Sequence, residues 1–415
     1  MIEKYYSGVI EQIYNRIGKE TRNIVMANYS NDFSIENLEV IRRYQSNEDN
    51  VFFAYSEFSY NTLVGAYEPF LDIICNMHRR FIGGSFDDFQ KECGVYYLHR
   101  QVLNSYYETG ECFREETVLL NEVAYEQRRM TMAIADMLKK LSEVKPLMIV
   151  INRFQMASKS SIETIKYLID NPCANIGIVL GVNAIVKGTD STVEVWDRIV
   201  ESLEDRSAIY YIGSAGPLKN NVKTTNDDEL YITMNFEQSI QEASNIMEFL
   251  DFEQARRGCR IIEHKLKFED AWIDEKSLRR FYMVYARTSV LLGEMSKAIE
   301  LTNEYKALIP ENDSEHYLSL YYFMKGTCYM YQGKLEKAGN SAKSAYDYAV
   351  LAEDDTLIFK AELLSVMIKM SGWYNIFFCV QDIPVSDEII EKLIKHGYRN
   401  HLAHIYIYAY DNSRD

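Results

Sequence analysis

Apolar and polar positions along this chain follow two regimes that change over near residue 236. Before that point, short unbroken apolar runs alternate with stretches of helical spacing; after it, only helical spacing is found. The clearest run is LMIVI, residues 147–151. An unbroken run of that kind is how a strand buried on both faces of a parallel sheet reads. A polar turn, residues 152–160, follows it, and Ile162, Ile165, Leu168 and Ile169 then recur at helical spacing. Further strand candidates are residues 23–27, 51–55, 175–182, 208–212 and 230–234. Residues 84–142 read as mostly helical, and 213–228, rich in Gly, Asn, Thr and Asp, as an exposed loop. About five strands alternating with helices predict an α/β fold, with a mostly parallel sheet and helices on both faces. In such folds ligands sit at the carboxyl ends of the strands.

The second regime carries a repeat. Gly293, Gly333 and Gly372 are 40 and 39 residues apart. A small residue stands seven positions before each, namely Ala286, Gly326 and Ser365, and an alanine stands five after the first two, Ala298 and Ala338. The pattern resembles tetratricopeptide repeats, in which small residues let two antiparallel helices touch and a glycine turns the chain between them. The third copy is degenerate after its expected turn. Residues 389–410 read as the start of another hairpin, so the array is expected to be unfinished at Asp415 and the chain to be a fragment. The expected layout is an α/β domain over 1–236, a helical connector over 237–275, and an all-α tetratricopeptide-like solenoid over 276–415.

The first regime resembles the P-loop ATPases of the STAND class in the order of its parts. In that family the strand corresponding to 147–151 runs into two acidic residues that hold magnesium; here those positions are Asn152 and Arg153. An amide binds magnesium poorly and a guanidinium not at all. The strand at 23–27 should lead into a phosphate loop of the form G-x-x-x-x-G-K-[ST]. Asn28 and Phe33 fall at its glycines, Ser34 at its lysine and Ile35 at its hydroxyl position. Tyr67, Pro69 and Phe70 match a family turn, and Asn183 stands where a polar sensor residue is expected, although an Asn there also suits an ordinary turn. The resemblance implies a P-loop-like fold whose nucleotide chemistry is lost, because phosphoryl transfer depends on the missing lysine and acids.

Composition narrows the partners. With 45 basic and 61 acidic residues the net charge is −16, which disfavours nucleic acid and anionic membranes. Seven scattered cysteines without C-x-x-C read as free thiols, and no apolar run approaches the ~20 residues that span a bilayer. The chain is therefore expected to be cytoplasmic. His401 and His404, with His396 upstream and Asp411 in the tail, have a spacing that could hold a metal, but surface or packing histidines are the preferred reading. The short basic clusters His78-Arg79-Arg80 and Arg256-Arg257 read as solvated helix faces.

No catalytic residue, metal or cofactor is expected. The sequence points to a regulatory module in which the helical repeats bind a protein, a peptide or a small molecule. By analogy with proteins of this build, an effector such as a diguanylate cyclase is expected beyond residue 415. The alternatives are a working nucleotide switch with atypical residues, and a pure assembly scaffold that could be a homo-oligomer.

Overall fold

The computed structural model describes residues 2–412 apart from 30–38, 47–49, 60–62, 115, 117, 184–185, 188–189, 206–208, 213–222, 225–234, 269–272, 313 and 376–385. The chain divides into two compact units: Met1–Phe113 with Ala124–Glu269, and Arg114–Val123 with Asp270–Asp415. The first is α/β and the second all-α. The helices Phe236–Glu248 and Phe252–Phe268, which fall in the expected connector, belong to the first unit. No helix among the described residues is long and apolar enough to cross a membrane.

The strands are β1 (Ile24–Tyr29), β2 (Phe52–Glu57), β3 (Leu147–Asn152), β4 (Ile176–Asn183), β5 (Val186–Lys187), β6 (Ile209–Ile212) and β7 (Lys223–Thr224). Five form one parallel sheet in the order β2-β3-β4-β1-β6, and β5 pairs with β7 separately. The expected strand at 230–234 and most of the expected loop at 213–228 lie outside the described residues. Every residue of β3 is buried, which is why its sequence is apolar without alternation.

One face of the sheet packs Val25 and Ala27, Met148 and Val150, Phe53 and Val179 against Tyr6, Val9, Ile10 and Ile13 of the first helix, Ile2–Arg16. That helix approaches β4 closely because β4 carries glycine at two positions of this face. A Cβ on Gly177 would lie 2.8 Å from Ile17, and one on Gly181 would press on the Tyr6 hydroxyl and stand 2.8 Å from Asn152 Oδ1.

The order of strands also fixes where a crevice opens. From β1 the chain crosses to the far edge at β2, steps back through β3 and β4, and passes β1 to reach β6. With right-handed crossovers, such a reversal moves the connections to the opposite face. The helix Glu39–Ser46, after β1, adds Val40 and Ile41 to the face that carries Tyr6. The connections after β2, β3 and β4 therefore run across the other face. Adjacent strands β1 and β4 thus send their chains opposite ways, which is the geometry of a ligand crevice in α/β sheets.

In the second unit the helices Glu275–Leu291 and Met295–Ala307, Glu315–Tyr331 and Leu335–Leu351 form two hairpins, followed by the helices Asp355–Asn375, Asp387–Lys395 and Arg399–Asn412. Gly293 and Gly333 are left-handed, at φ 77° and 70°. At the first, Gly293 N donates to Val290 O and Glu294 N to Ser289 O; at the second, Gly333 N donates to Met330 O and Lys334 N to Tyr329 O. This paired pattern closes the last carbonyls of a helix and favours glycine at its left-handed residue. Gly397 ends the helix Asp387–Lys395 in the same way, and Glu353 ends the helix Leu335–Leu351 so at φ 52° without the benefit of being glycine.

The third repeat glycine corrects the sequence pattern. Gly372 makes no turn and lies inside the helix Asp355–Asn375. The small residues do permit close helix contact. Ala286, Ala298 and Ala338 are fully buried, and a Cβ on Gly326 would stand 3.0 Å from Leu364 and 3.4 Å from Ser341.

Candidate functional site

The carboxyl ends of the central strands carry most of the positions singled out in the sequence. Asn28 stands near the end of β1 and Asn152 ends β3; each is at most 1 % exposed. β4 runs between their strands and ends in Asn183, which pairs in register with Tyr29. Phe33, Ser34 and Ile35 lie outside the described residues. Strand alternation puts Asn152 on the face that carries Tyr6, and its Oδ1 lies beside Gly181; Asn28 points to the other face. Oδ1 of Asn28 is buried without a hydrogen-bond partner among the described residues.

Arg153 follows Asn152 in a left-handed conformation, φ 53°. Its Nη1 lies 3.1 Å from Oε1 of Glu57, the last residue of β2, with both side chains mostly buried. The other Glu57 oxygen accepts a hydrogen bond from the Tyr55 hydroxyl at 2.5 Å. The guanidinium that replaces an acid in the sequence is thus already matched to a carboxylate of its own sheet. Glu57 was not singled out in the sequence, because only the strand register sets it opposite Asn152.

A second feature of the first unit is a cavity of about 440 Å³ lined by Leu63, Leu71 and Phe249 on its apolar side. Glu68, Asp72 and Glu242 line its polar side with Tyr106. Glu68 follows Tyr67 in the turn matched to the family, and Asp72 lies one helical turn further on. Tyr106 donates its hydroxyl hydrogen to Asp72 at 3.0 Å, and Gly65 N–H donates to Glu68 at 2.9 Å. Burial, and then the neighbouring Glu68 and Asp72, push Glu242 up to about 7. Burial also raises Glu68, offset in part by the Gly65 N–H. Such a lining offers an ammonium or guanidinium its counter-charge, and Glu242 can give or take a proton near neutrality. Among the described residues no group of three or more His, Cys, Asp or Glu is placed to hold a metal ion. Glu242 lies too far along the chain from Glu68 and Asp72 for spacing to have revealed the set.

Comparison of the chain with protein-family models, with curated proteins and with solved structures finds no match.

In the second unit, the two histidines considered as metal ligands have acidic partners instead. His401 Nδ1 stands 2.8 Å from Glu116 Oε1, which also accepts from the His401 backbone N–H at 2.9 Å, and both residues are buried. His404 Nε2 stands 2.8 Å from Glu122 Oε1. Asp411 lies at the end of the helix Arg399–Asn412.

The hydrogen bond that the His404 ring donates to Glu122, outweighing partial burial, raises His404 above its ordinary 6.5. A raised histidine stabilises the fold fully below 6.5, and that contribution fades as pH rises through the folded value. An NMR titration of the His404 ring is expected to give a midpoint above 6.5 that falls in Glu122→Gln. An unchanged midpoint in the variant would refute the pairing.

Proposed function

We propose that this chain is a non-catalytic regulatory module. In this reading the first unit is a degenerate P-loop ATPase-like domain of STAND type, and the second is a tetratricopeptide-like array that binds a protein or peptide. The observation that carries the reading is the strand-end chemistry. Asn28, next to last in β1, and Asn152, the last residue of β3, stand in strands separated by one neighbour in a single parallel sheet, and both are buried neutral amides. The adjoining Arg153 is engaged by Glu57. Phosphoryl transfer relies almost wholly on positioned metal and cationic groups around the phosphates, and amides supply neither.

The layout of the second unit supports the binding role. Two hairpins closed by the same glycine-centred turn stack small residues inside and leave long helix faces outside, which is how repeat arrays make their binding surfaces. A small-molecule ligand, should the module sense one, would suit the cavity lined by Glu68, Asp72 and Glu242, and its charge would be positive.

Calorimetric titration of the full chain with ATP and ADP, with and without magnesium, tests the loss of nucleotide chemistry. No magnesium-dependent gain in affinity is expected. Tight binding that requires magnesium would overturn the reading in favour of a working switch.

A further inference from the structure

Across three helices of the second unit, lysine ammonium groups and tyrosine rings alternate. Lys306, on the helix Met295–Ala307, lies 5.1 Å from the Tyr321 ring centroid. Lys325 lies 5.2 Å from that same ring and 6.0 Å from the Tyr329 ring, both on the helix Glu315–Tyr331. Lys337, on the helix Leu335–Leu351, lies 6.0 Å from the Tyr329 ring. The shared rings hold successive ammonium groups no more than about 10 and 12 Å apart.

The charges of this ladder are not spent on carboxylates. Among the described residues, none of Lys306, Lys325 and Lys337 makes an ion pair, whereas Lys297 and Lys392 of the same unit stand at 2.9 and 2.7 Å from Glu300 and Glu362. Lys325 is half-buried and donates to the Tyr321 hydroxyl at 2.9 Å. Partial burial disfavours its charge, but Tyr321, Tyr329 and Tyr322 outweigh that and keep it firmly protonated. Lys306 and Lys337 are exposed. Cations set against tyrosine rings, with Lys325 giving one N–H to the Tyr321 hydroxyl, therefore form a local basic stripe in a chain of net charge −16, most of its donors still available.

We propose that the Lys306–Tyr321–Lys325–Tyr329–Lys337 ladder is a docking stripe for an acidic peptide segment of a partner protein. The inference rests on the reading of this unit as a peptide-binding array and names the chemistry of its partner. An extended peptide advances about 3.3 Å per residue, so acids two or three positions apart recur at about 7–10 Å, within the limit of about 10 and 12 Å that the shared rings set on the ammonium groups. Charge complementarity fixes the register, and tyrosine supplies contact area at low entropic cost. A nucleic acid is the poorer fit, because the strongly acidic remainder of the chain opposes a long polyanion while a short acidic segment meets only the stripe.

The test uses the full chain and fluorescence anisotropy with a labelled dodecapeptide bearing Glu at every third position. Its counterpart with Gln at those positions and an oligothymidylate of equal length serve as the other probes. The acidic peptide is expected to bind, to weaken as salt rises, and to lose about tenfold or more in affinity in the combined Lys306→Gln, Lys325→Gln, Lys337→Gln variant. The corresponding arginine variant should retain binding, and Lys343→Gln should leave it unchanged. Equal binding of the acidic and Gln peptides would overturn the charged stripe while leaving a peptide-binding array in place. Binding of neither peptide would remove both. Oligothymidylate bound as tightly as the acidic peptide through the same lysines would replace the peptide with a general polyanion and so overturn the proposal.

Discussion

Replacing Tyr6 by alanine is expected to destabilise the sheet unit by about 3–5 kcal/mol, the range for deleting a large buried aromatic. Tyr6 is fully buried between the first helix and the sheet, in the cluster that contains Val25, Met148 and Val179. The same contact predicts a reciprocal effect at Gly181. A methyl placed there would press on the Tyr6 hydroxyl and on Asn152 Oδ1, so Gly181→Ala should cost about 1–3 kcal/mol by overpacking. Tyr6→Phe removes the nearer obstacle, and the double variant Tyr6→Phe, Gly181→Ala should recover much of the loss. A double-mutant cycle read from the urea unfolding transition of this unit measures the coupling. Strict additivity of the two changes would show that the hydroxyl does not limit the space at Gly181.

The second large effect is expected at Asp251. This carboxylate is buried at the start of the helix Phe252–Phe268, where Oδ2 accepts from Ser160 N–H at 2.9 Å and Oδ1 from Gln254 N–H at 3.4 Å. Ser160 Oγ in turn accepts from Tyr67 N–H at 3.0 Å, and Gln254 donates to Val64 O at 3.0 Å. One side chain thus ties together the Tyr67 turn and the starts of two helices. Asp251→Ala would strand the Ser160 N–H in the interior, at a cost of about 2–4 kcal/mol. Asp251→Asn keeps one acceptor, which can serve the Ser160 N–H while the longer contact to Gln254 N–H is given up, and should cost about 1 kcal/mol, less than alanine.

Burial raises Asp251, with the Ser160 and Gln254 donors opposing that effect in part. A raised acid favours its protonated form in the fold, so its stabilising contribution is greatest at low pH and declines as pH rises through the folded value. Asn, neutral throughout, should remove that decline. Urea midpoints at acid and neutral pH for the three proteins decide it. An alanine variant as stable as the asparagine one would show that the network does not depend on this acceptor.

How much could be read from the sequence depended on whether a feature was local. β3 announced itself most clearly because a strand covered on both faces must be apolar throughout, and it is buried at every position; β2, at the sheet edge, showed only the apolar start of its run. Gly293 and Gly333 were legible because a left-handed helix end selects glycine strongly. Gly372 misled for the complementary reason: glycine is tolerated within a helix, and spacing alone cannot tell the two uses apart. At the candidate site, Asn152 and Arg153 were visible as substitutions in a pattern, whereas the Glu57 carboxylate that answers Arg153 was not. Glu116 is 285 residues from His401, and no periodicity links positions so far apart.

The assignment of Arg114–Val123 to the helical unit has a practical corollary. The backbone passes from one unit to the other three times, after Phe113, after Val123 and after Glu269. No single truncation point separates them. A clone stopped at residue 269 would leave the buried Glu116 and its neighbours without the histidines they pair with, and a clone begun at residue 270 would leave His401 without its acid. Expression of either half alone should therefore yield poorly behaved protein. Co-expression or an engineered fusion that supplies the ten-residue strap to the helical half is the rational way to study it in isolation.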